Sequence, residues 1–341
     1  MHRAAIVYAL ASAALFGAST PFAKILVGEV SPLVLAGLLY LGSGIGLLPW
    51  LRAKKVPKGD LPWLAGAIVA GGVFGPALLM YGLTRTAGSH AALLLNLEGV
   101  LTAALAWVVF KENVDRRVFV GMLAIIAGGV VLSWGEIPSG GGIAGPLLIA
   151  AACLAWAIDN NLTRRVSGGD AVTIASLKGL VAGSVNLALG LAVQGAAPPA
   201  PGVIAATATV GLFGYGISLV LFVVALRHLG TARTGAYFSV APFFGAAIAL
   251  AVLPETASAA FWGAAALMAV GVWLHFTERH EHSHAHEHLE HTHEHVHDEH
   301  HRHEHAFAWD GHEPHSHQHA HGGLRHSHPH YPDLHHRHHH G

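Results

Sequence analysis

The sequence predicts an all-α membrane protein with ten transmembrane helices, arranged as two inverted five-helix repeats and followed by a disordered, histidine-rich tail. Three observations predict it: ten apolar stretches of spanning length, Lys and Arg confined to alternate links, and an internal repeat. Composition sets the frame. Of 341 residues, 52% are hydrophobic and 11% charged, whereas a soluble domain carries about 25% charge. Too few charges remain to coat a water-facing surface.

The apolar stretches fall at 4–27, 31–51, 62–83, 88–110, 117–134, 143–163, 171–193, 203–226, 232–253 and 257–277. A bilayer core about 30 Å thick needs about 20 apolar residues per helix, and a helix satisfies its own backbone hydrogen bonds in lipid. The first stretch follows Arg3 and resembles a secretory signal, but its apolar run continues past Phe16 to Ile25, so it is expected to stay as a span. The single cysteine, Cys153, lies inside a span and permits neither a disulfide framework nor a cysteine metal site.

Lys and Arg then set the orientation. One set of links holds Arg52, Lys54, Lys55 and Lys58, then Lys111, Arg116 and Arg117, then Arg164 and Arg165, then Arg227 and Arg233. The opposite links at 135–142, 194–202 and 254–258 hold none, and Arg85 is the one exception. With ten spans, both termini are cytoplasmic, in the inner (plasma) membrane of a bacterium.

The repeat is visible in two places. Phe119–Leu132 (FVGMLAIIAGGVVL) aligns with Phe261–Leu274 (FWGAAALMAVGVWL), and Ala103–Glu112 (AALAWVVFKE) with Ala246–Glu255 (AAIALAVLPE). The chain divides into residues 1–137, 138–277 and the tail 278–341. An odd number of spans per half forces the second half in upside down, an arrangement common among transporters. Abundant glycine, including Gly42/Gly46 and Gly71/Gly75, is expected to let helices approach closely.

These features resemble the drug/metabolite transporter superfamily, specifically its EamA-type members. Leu15–Lys24 (LFGASTPFAK) is similar to the family's first-span pattern, and Leu97–Glu112 (LEGVLTAALAWVVFKE) to its fourth-span signature. Where the family usually has Pro after the Glu, this chain has Gly99. The second copy, Val240–Glu255, keeps Pro242 but has Ala241 where the first has Glu98. The resemblance covers residues 1–277 and implies a central cavity and alternating access for a small solute. It also places Lys24 near the cavity mouth.

A charge at mid-bilayer costs at least about 2.5–3.5 kcal/mol, so charged residues in spans are candidate functional sites. Asp159 and Lys178 lie on consecutive antiparallel spans at similar depth and are expected to pair. Such a pair is either a structural bridge or a substrate patch with Asn160 and Asn186 as hydrogen-bond partners. Glu98, two positions after Asn96, has no cation in its own span and is a candidate for coupling by taking up and releasing a proton. Lys24 ends the first span and is expected to snorkel to the surface. Glu112 and Glu255 are expected to stabilise span ends. Tyr81, Trp107, Trp156, Tyr215, Tyr237 and Phe243 are candidate cavity aromatics.

From His280 onward stand 26 of the chain's 30 histidines, with no hydrophobic periodicity to support a core. Such tracts bind metal by composition. The candidate ligands are His280, His282, His284, His286, His288, His291, His293, His295, His297, His300, His301, His303 and His305, for zinc, nickel, cobalt or copper. HExxH occurs at His280–His284 and His293–His297. A repetitive His/Glu string generates that pattern by chance, and no enzyme activity or required cofactor is expected.

Two functions follow from these features. One is export of a small organic metabolite or drug-like solute, with the tail as a metal buffer or sensor. The other is export of nickel, cobalt or zinc captured by the tail. Lys178 would repel a cation, which favours the first. The expected partners are the lipid bilayer, the solute and divalent metal at the tail. A homodimer is compatible with this reading, and nothing points to nucleic acid.

Overall fold

A computed structural model describes residues 2–51, 56–110, 116–136, 142–166, 169–194, 199–277, 281–285, 289–295, 315–321 and 325–329. The chain forms two compact units, Met1–Glu278 and Arg279–Gly341.

The first unit is helical throughout its described elements. Its helices are α1 (His2–Leu26), α2 (Pro32–Gly46), α3 (Leu61–Ala67), α4 (Gly75–Leu83), α5 (Gly88–Leu94), α6 (Leu97–Phe110) and α7 (Arg116–Glu136). These are followed by α8 (Ala144–Val166), α9 (Ala171–Gln194), α10 (Pro201–Gly211), α11 (Ser218–Phe238), α12 (Ala241–Val252) and α13 (Ala259–Phe276). Among the described residues, eight helical stretches are long and apolar enough to cross a membrane, and Ala241–Val252 and Ala259–Leu274 are shorter apolar helices.

Two spans contain π-helical segments. Ile68–Phe74 joins α3 to α4, and Leu212–Ile217 joins α10 to α11. Both overlap the same short pattern, Gly72-Val-Phe-Gly75 in one half and Gly211-Leu-Phe-Gly214 in the other. Single π turns inside α-helices occur frequently at functional sites.

The fourth span is broken. Asn96 N–H bonds to the Leu93 carbonyl, and α6 begins after it at Leu97. In the second half, α11 runs unbroken through residues 227–231, where the sequence predicts a link, and the break comes later, at Ser239–Val240. Residues 227–238 contain no proline to stop the helix. Pro242 then sits in the first turn of α12, where its missing N–H has no intrahelical acceptor to lose.

The bundle is assembled by close contacts between its halves. α2 packs on α9, α7 on α13, α1 on α11 and α12, and α8 on α4 and α6. Glycine permits the tightest of these. A Cβ on Gly44 would lie 2.5 Å from the Leu180 nitrogen, and one on Gly179 would lie 2.5 Å from the Gly44 nitrogen. In lipid, where apolar surface gains little from leaving the solvent, such backbone approach is what holds helices together. A reciprocal serine pair adds to it: Ser12 Oγ donates to the Ser218 carbonyl at 2.7 Å, and Ser218 Oγ donates to the Ser12 carbonyl at 3.0 Å.

The described residues of the second unit are short strands. Strand β1 (Glu281–Ala285) pairs antiparallel with β4 (Arg325–Pro329), and β2 (Leu289–His295) with β3 (His315–His321). Every second residue is histidine, a period that matches the alternation of a strand. The register sets His291 opposite His319, His293 opposite His317 and His295 opposite His315. Of the metal-ligand candidates, His280, His286, His288, His297, His300, His301, His303 and His305 lie outside the described residues.

Candidate functional site

The site is built on α8. Trp156, Asp159, Asn160 and Thr163 recur at helical spacing and so share one side of that helix. Asp159 meets Lys178 of α9. Lys178 Nζ donates to Asp159 Oδ1 at 2.6 Å and to Oδ2 at 2.7 Å, and to Thr163 Oγ1 at 3.3 Å. Thr163 Oγ1 donates to Asp159 Oδ1 at 2.7 Å. The pair is nearly sealed, with Asp159 6% exposed and Lys178 5% exposed. Burial of two charges is tolerable only because each neutralises the other and most of their hydrogen-bonding capacity is used.

The π segment of the third span forms the wall behind the pair. A Cβ on Gly71 would overlap the Asp159 carboxylate, so glycine is what lets α8 come this close. The carbonyls of this segment are taken by side chains from three other helices. Tyr40 Oη and Trp156 Nε1 both donate to the Gly71 carbonyl at 2.9 Å. Asn186 Nδ2 donates to the Gly72 and Val73 carbonyls, each at 3.2 Å.

On the other side of Asp159, Asn160 reaches the fourth span. Asn160 Nδ2 donates to Glu98 Oε1 at 2.8 Å and to Thr102 Oγ1 at 3.4 Å. Asn161 Nδ2 donates to the Thr102 carbonyl at 3.3 Å and to the Ala157 carbonyl at 2.8 Å. Consecutive residues of α8 thus connect a carboxylate on α6 with an ion pair on α9. Glu98 and Asn160 are half-buried.

Aromatic rings from both halves gather beside this network. Phe16 of α1 lies edge-on to Trp156 at 6.1 Å and to Tyr215 at 5.9 Å, and 5.3 Å from Phe238. Tyr40 lies 5.3 Å from Tyr215.

The sequence candidates divide accordingly. Asp159 and Lys178 form an ion pair, and Asn160, the next residue of α8, forms a separate hydrogen-bonded pair with Glu98. Asn186 instead holds the backbone of the π segment. Asn96 bonds its own helix end, through Nδ2 to the Leu93 carbonyl at 3.0 Å, and approaches Met268 Sδ at 3.8 Å. Lys24 does not simply reach for the surface: Nζ donates to the carbonyls of Leu83 at 2.6 Å and Thr86 at 2.9 Å. Of the aromatics, Trp156 and Tyr215 join the central cluster, whereas Trp107 packs on Phe119 and is 45% exposed. Sequence reasoning does not pick out Thr163, Thr102, Tyr40 or Phe16, and it marks Gly71 as a close-packing position without linking it to Asp159. The signals were present: Thr163 stands four residues after Asp159, and the G-x-F-G pattern occurs in both halves.

The EamA-like transporter family model matches this chain twice, at residues 3–134 and 143–277. The chain belongs to the EamA-like transporter family. An uncharacterised transporter of Methanothermobacter thermautotrophicus is 27% identical over 263 residues, covering 70% of this chain and 76% of that protein. The uncharacterised transporter YyaM of Bacillus subtilis is 25% identical over 254 residues, covering 69% and 82%. A protein solved by crystallography superposes with a TM-score of 0.62 at 18% identity, over 81% of this chain and 98% of that one, a likeness of fold. As an EamA-like transporter, the chain is a multi-pass membrane protein whose lipid-embedded part carries the polar group on α6, α8 and α9.

Proposed function

We propose that this EamA-like protein is a secondary transporter that exports a small organic metabolite or drug-like solute by alternating access. It would lie in a bacterial inner membrane as ten spans in two inverted halves, with both termini cytoplasmic. The observation that carries the reading is the buried Asp159–Lys178 pair, seated where a side chain on Gly71 would lie. A pair so enclosed contributes little net stability compared with apolar residues of similar size, so a functional role accounts for its presence better than a structural one. A solute bearing an ionised group can exchange for one partner of the pair while its apolar body lies against Trp156, Phe16 and Tyr215. Asn186 Oδ1 is buried without a hydrogen-bond partner among the described residues and offers a further acceptor. Glu98, held by Asn160 next to Asp159 on α8, is the coupling candidate.

The histidine tail is assigned to binding divalent metal, as a buffer or sensor. A second reading, export of nickel, cobalt or zinc, is favoured by that tail alone. Against it stands the Lys178 ammonium at the polar centre. Among the described residues, no three His, Cys, Asp or Glu side chains are placed to hold a metal ion.

A binding screen separates the readings, because a ligand that binds the folded state raises its stability. Purified full-length protein and protein ending at Glu278 would be melted with an organic solute panel and with nickel, cobalt and zinc. The organic reading expects at least one solute to stabilise both forms, and to lose its effect in Asp159→Leu/Lys178→Met. Stabilisation of the shortened protein by metal ions only would overturn it.

A further inference from the structure

The end of the bundle where α4 meets α5 is held by two charged side chains from distant parts of the chain. Lys24, on α1, donates to the carbonyls of Leu83 and Thr86, at the last turn of α4 and in the following link. Glu255, just after α12, accepts from the backbone N–H of Gly88 at 2.6 Å through Oε1, and of Ser89 at 2.9 Å through Oε2. A cation therefore caps free carbonyls and a carboxylate caps free N–H groups, each matched to the sign of the helix end it meets. The two side chains close on one glycine: a Cβ on Gly88 would lie 3.3 Å from both Glu255 Oε1 and Lys24 Cγ. Glu255 also joins the two halves, since it stands in the second family match and Gly88 in the first.

The surroundings suit a contact that opens. Lys24 and Glu255 are half-buried, so water can replace either partner, whereas Thr86, Gly88 and Ser89 beneath them are buried. Thr20 lies one helical turn below Lys24 on the same face of α1 and is 1% exposed. By contrast, α2 and α9 meet through close-set backbone at Gly44 and Gly179.

We propose that Lys24 and Glu255 form a latch that closes this end of the bundle, and that each transport cycle releases it. The proposal rests on the transporter reading, because only a solute path between the two halves gives such a closure its purpose. Release exchanges the four hydrogen bonds for bonds to water and frees the 84–88 link from α1 and α12. With the latch broken, Thr20 would be the first buried position on α1 to meet solvent.

The test needs no solute, so its failure is distinguishable from failure of the binding screen. In a Cys153→Ala/Thr20→Cys background, labelling of the introduced cysteine by a hydrophilic maleimide is followed in detergent-purified protein. Lys24→Gln or Glu255→Gln is expected to speed labelling about tenfold or more, as the loss of charge-assisted hydrogen bonds implies. Amide exchange at residues 88–89 should accelerate in parallel. If the variants do not purify as folded protein, the unsubstituted chain still decides. Its amides at Gly88 and Ser89 should exchange much faster than those of the α2–α9 contact. Labelling unchanged in folded variants, or exchange at 88–89 as slow as at α2–α9, would overturn the latch.

Discussion

Replacing Asp159 by Asn keeps the side chain's shape and removes one charge from a nearly sealed pair. In the native chain, Lys178 Nζ is held by both carboxylate oxygens, at 2.6 and 2.7 Å, and by Thr163 Oγ1. Asn leaves one oxygen acceptor and turns an amide N–H toward an ammonium that itself only donates. Removing one partner of a buried pair costs about 3–5 kcal/mol, because the remaining charge is uncompensated. Both residues are at most 6% exposed, so water cannot make up the difference without opening the site. Asp159→Leu with Lys178→Met leaves no charge behind, and its stability should return close to that of the native chain. Reversible unfolding in mixed micelles measures these variants, with Asp159→Leu and Lys178→Met alone completing a double-mutant cycle. Additive losses within about 0.5 kcal/mol would mean that the two residues do not act as a pair. The same variants separate structure from function: the double replacement should be folded and inactive.

Further predictions follow from neighbouring contacts. Gly71→Ala places a methyl where the Asp159 carboxylate sits, and should destabilise the chain by about 1–3 kcal/mol as an overpacked site and abolish solute binding. Unaltered unfolding and binding would show that α8 is not seated on the π segment. Glu98→Leu removes the nearer acceptor of the half-buried Asn160 amide, at 2.8 Å, and should cost about 1 kcal/mol, whereas Glu98→Gln should cost less; equal losses would detach Glu98 from Asn160. In transport, Asp159→Asn should be more harmful than Glu112→Gln, and equal mild effects would remove Asp159 from the site. Ending the chain at Glu278 should abolish metal binding, read by calorimetry with nickel and zinc. Metal binding unchanged by truncation would place the ligands in the helical unit.

Much of this was legible because lipid imposes simple rules. Runs of apolar residues, the Lys/Arg alternation and the repeated Phe119–Leu132 pattern point to a many-helix membrane protein. The Asp159–Lys178 pair was legible for the same reason, since two charges at similar depth on consecutive spans have few other places to go. What stayed hidden depended on local backbone form. The π segments at Ile68–Phe74 and Leu212–Ile217 leave no trace in hydrophobic periodicity, although glycine marks both. Without them, the contacts of Tyr40, Trp156 and Asn186 with the Gly71–Val73 carbonyls could not be foreseen. Polarity groups Asn186 with the ion pair, yet its amide serves backbone oxygens. Lys24 was expected to seek water, because a sequence does not reveal that the carbonyls of Leu83 and Thr86 end within its reach. The link expected after Leu226 is continuous helix, since charge alone does not break a helix that lacks proline.

Flux through the protein tests most directly whether an organic solute passes by way of Asp159 and Lys178. Proteoliposomes containing the full-length chain, the chain ending at Glu278, or Asp159→Leu/Lys178→Met would be loaded with a metabolite panel or with nickel, cobalt or zinc. Organic efflux that survives truncation and disappears in the double variant is the predicted result. Metal efflux that survives truncation, with no organic solute moving through any form, would contradict it.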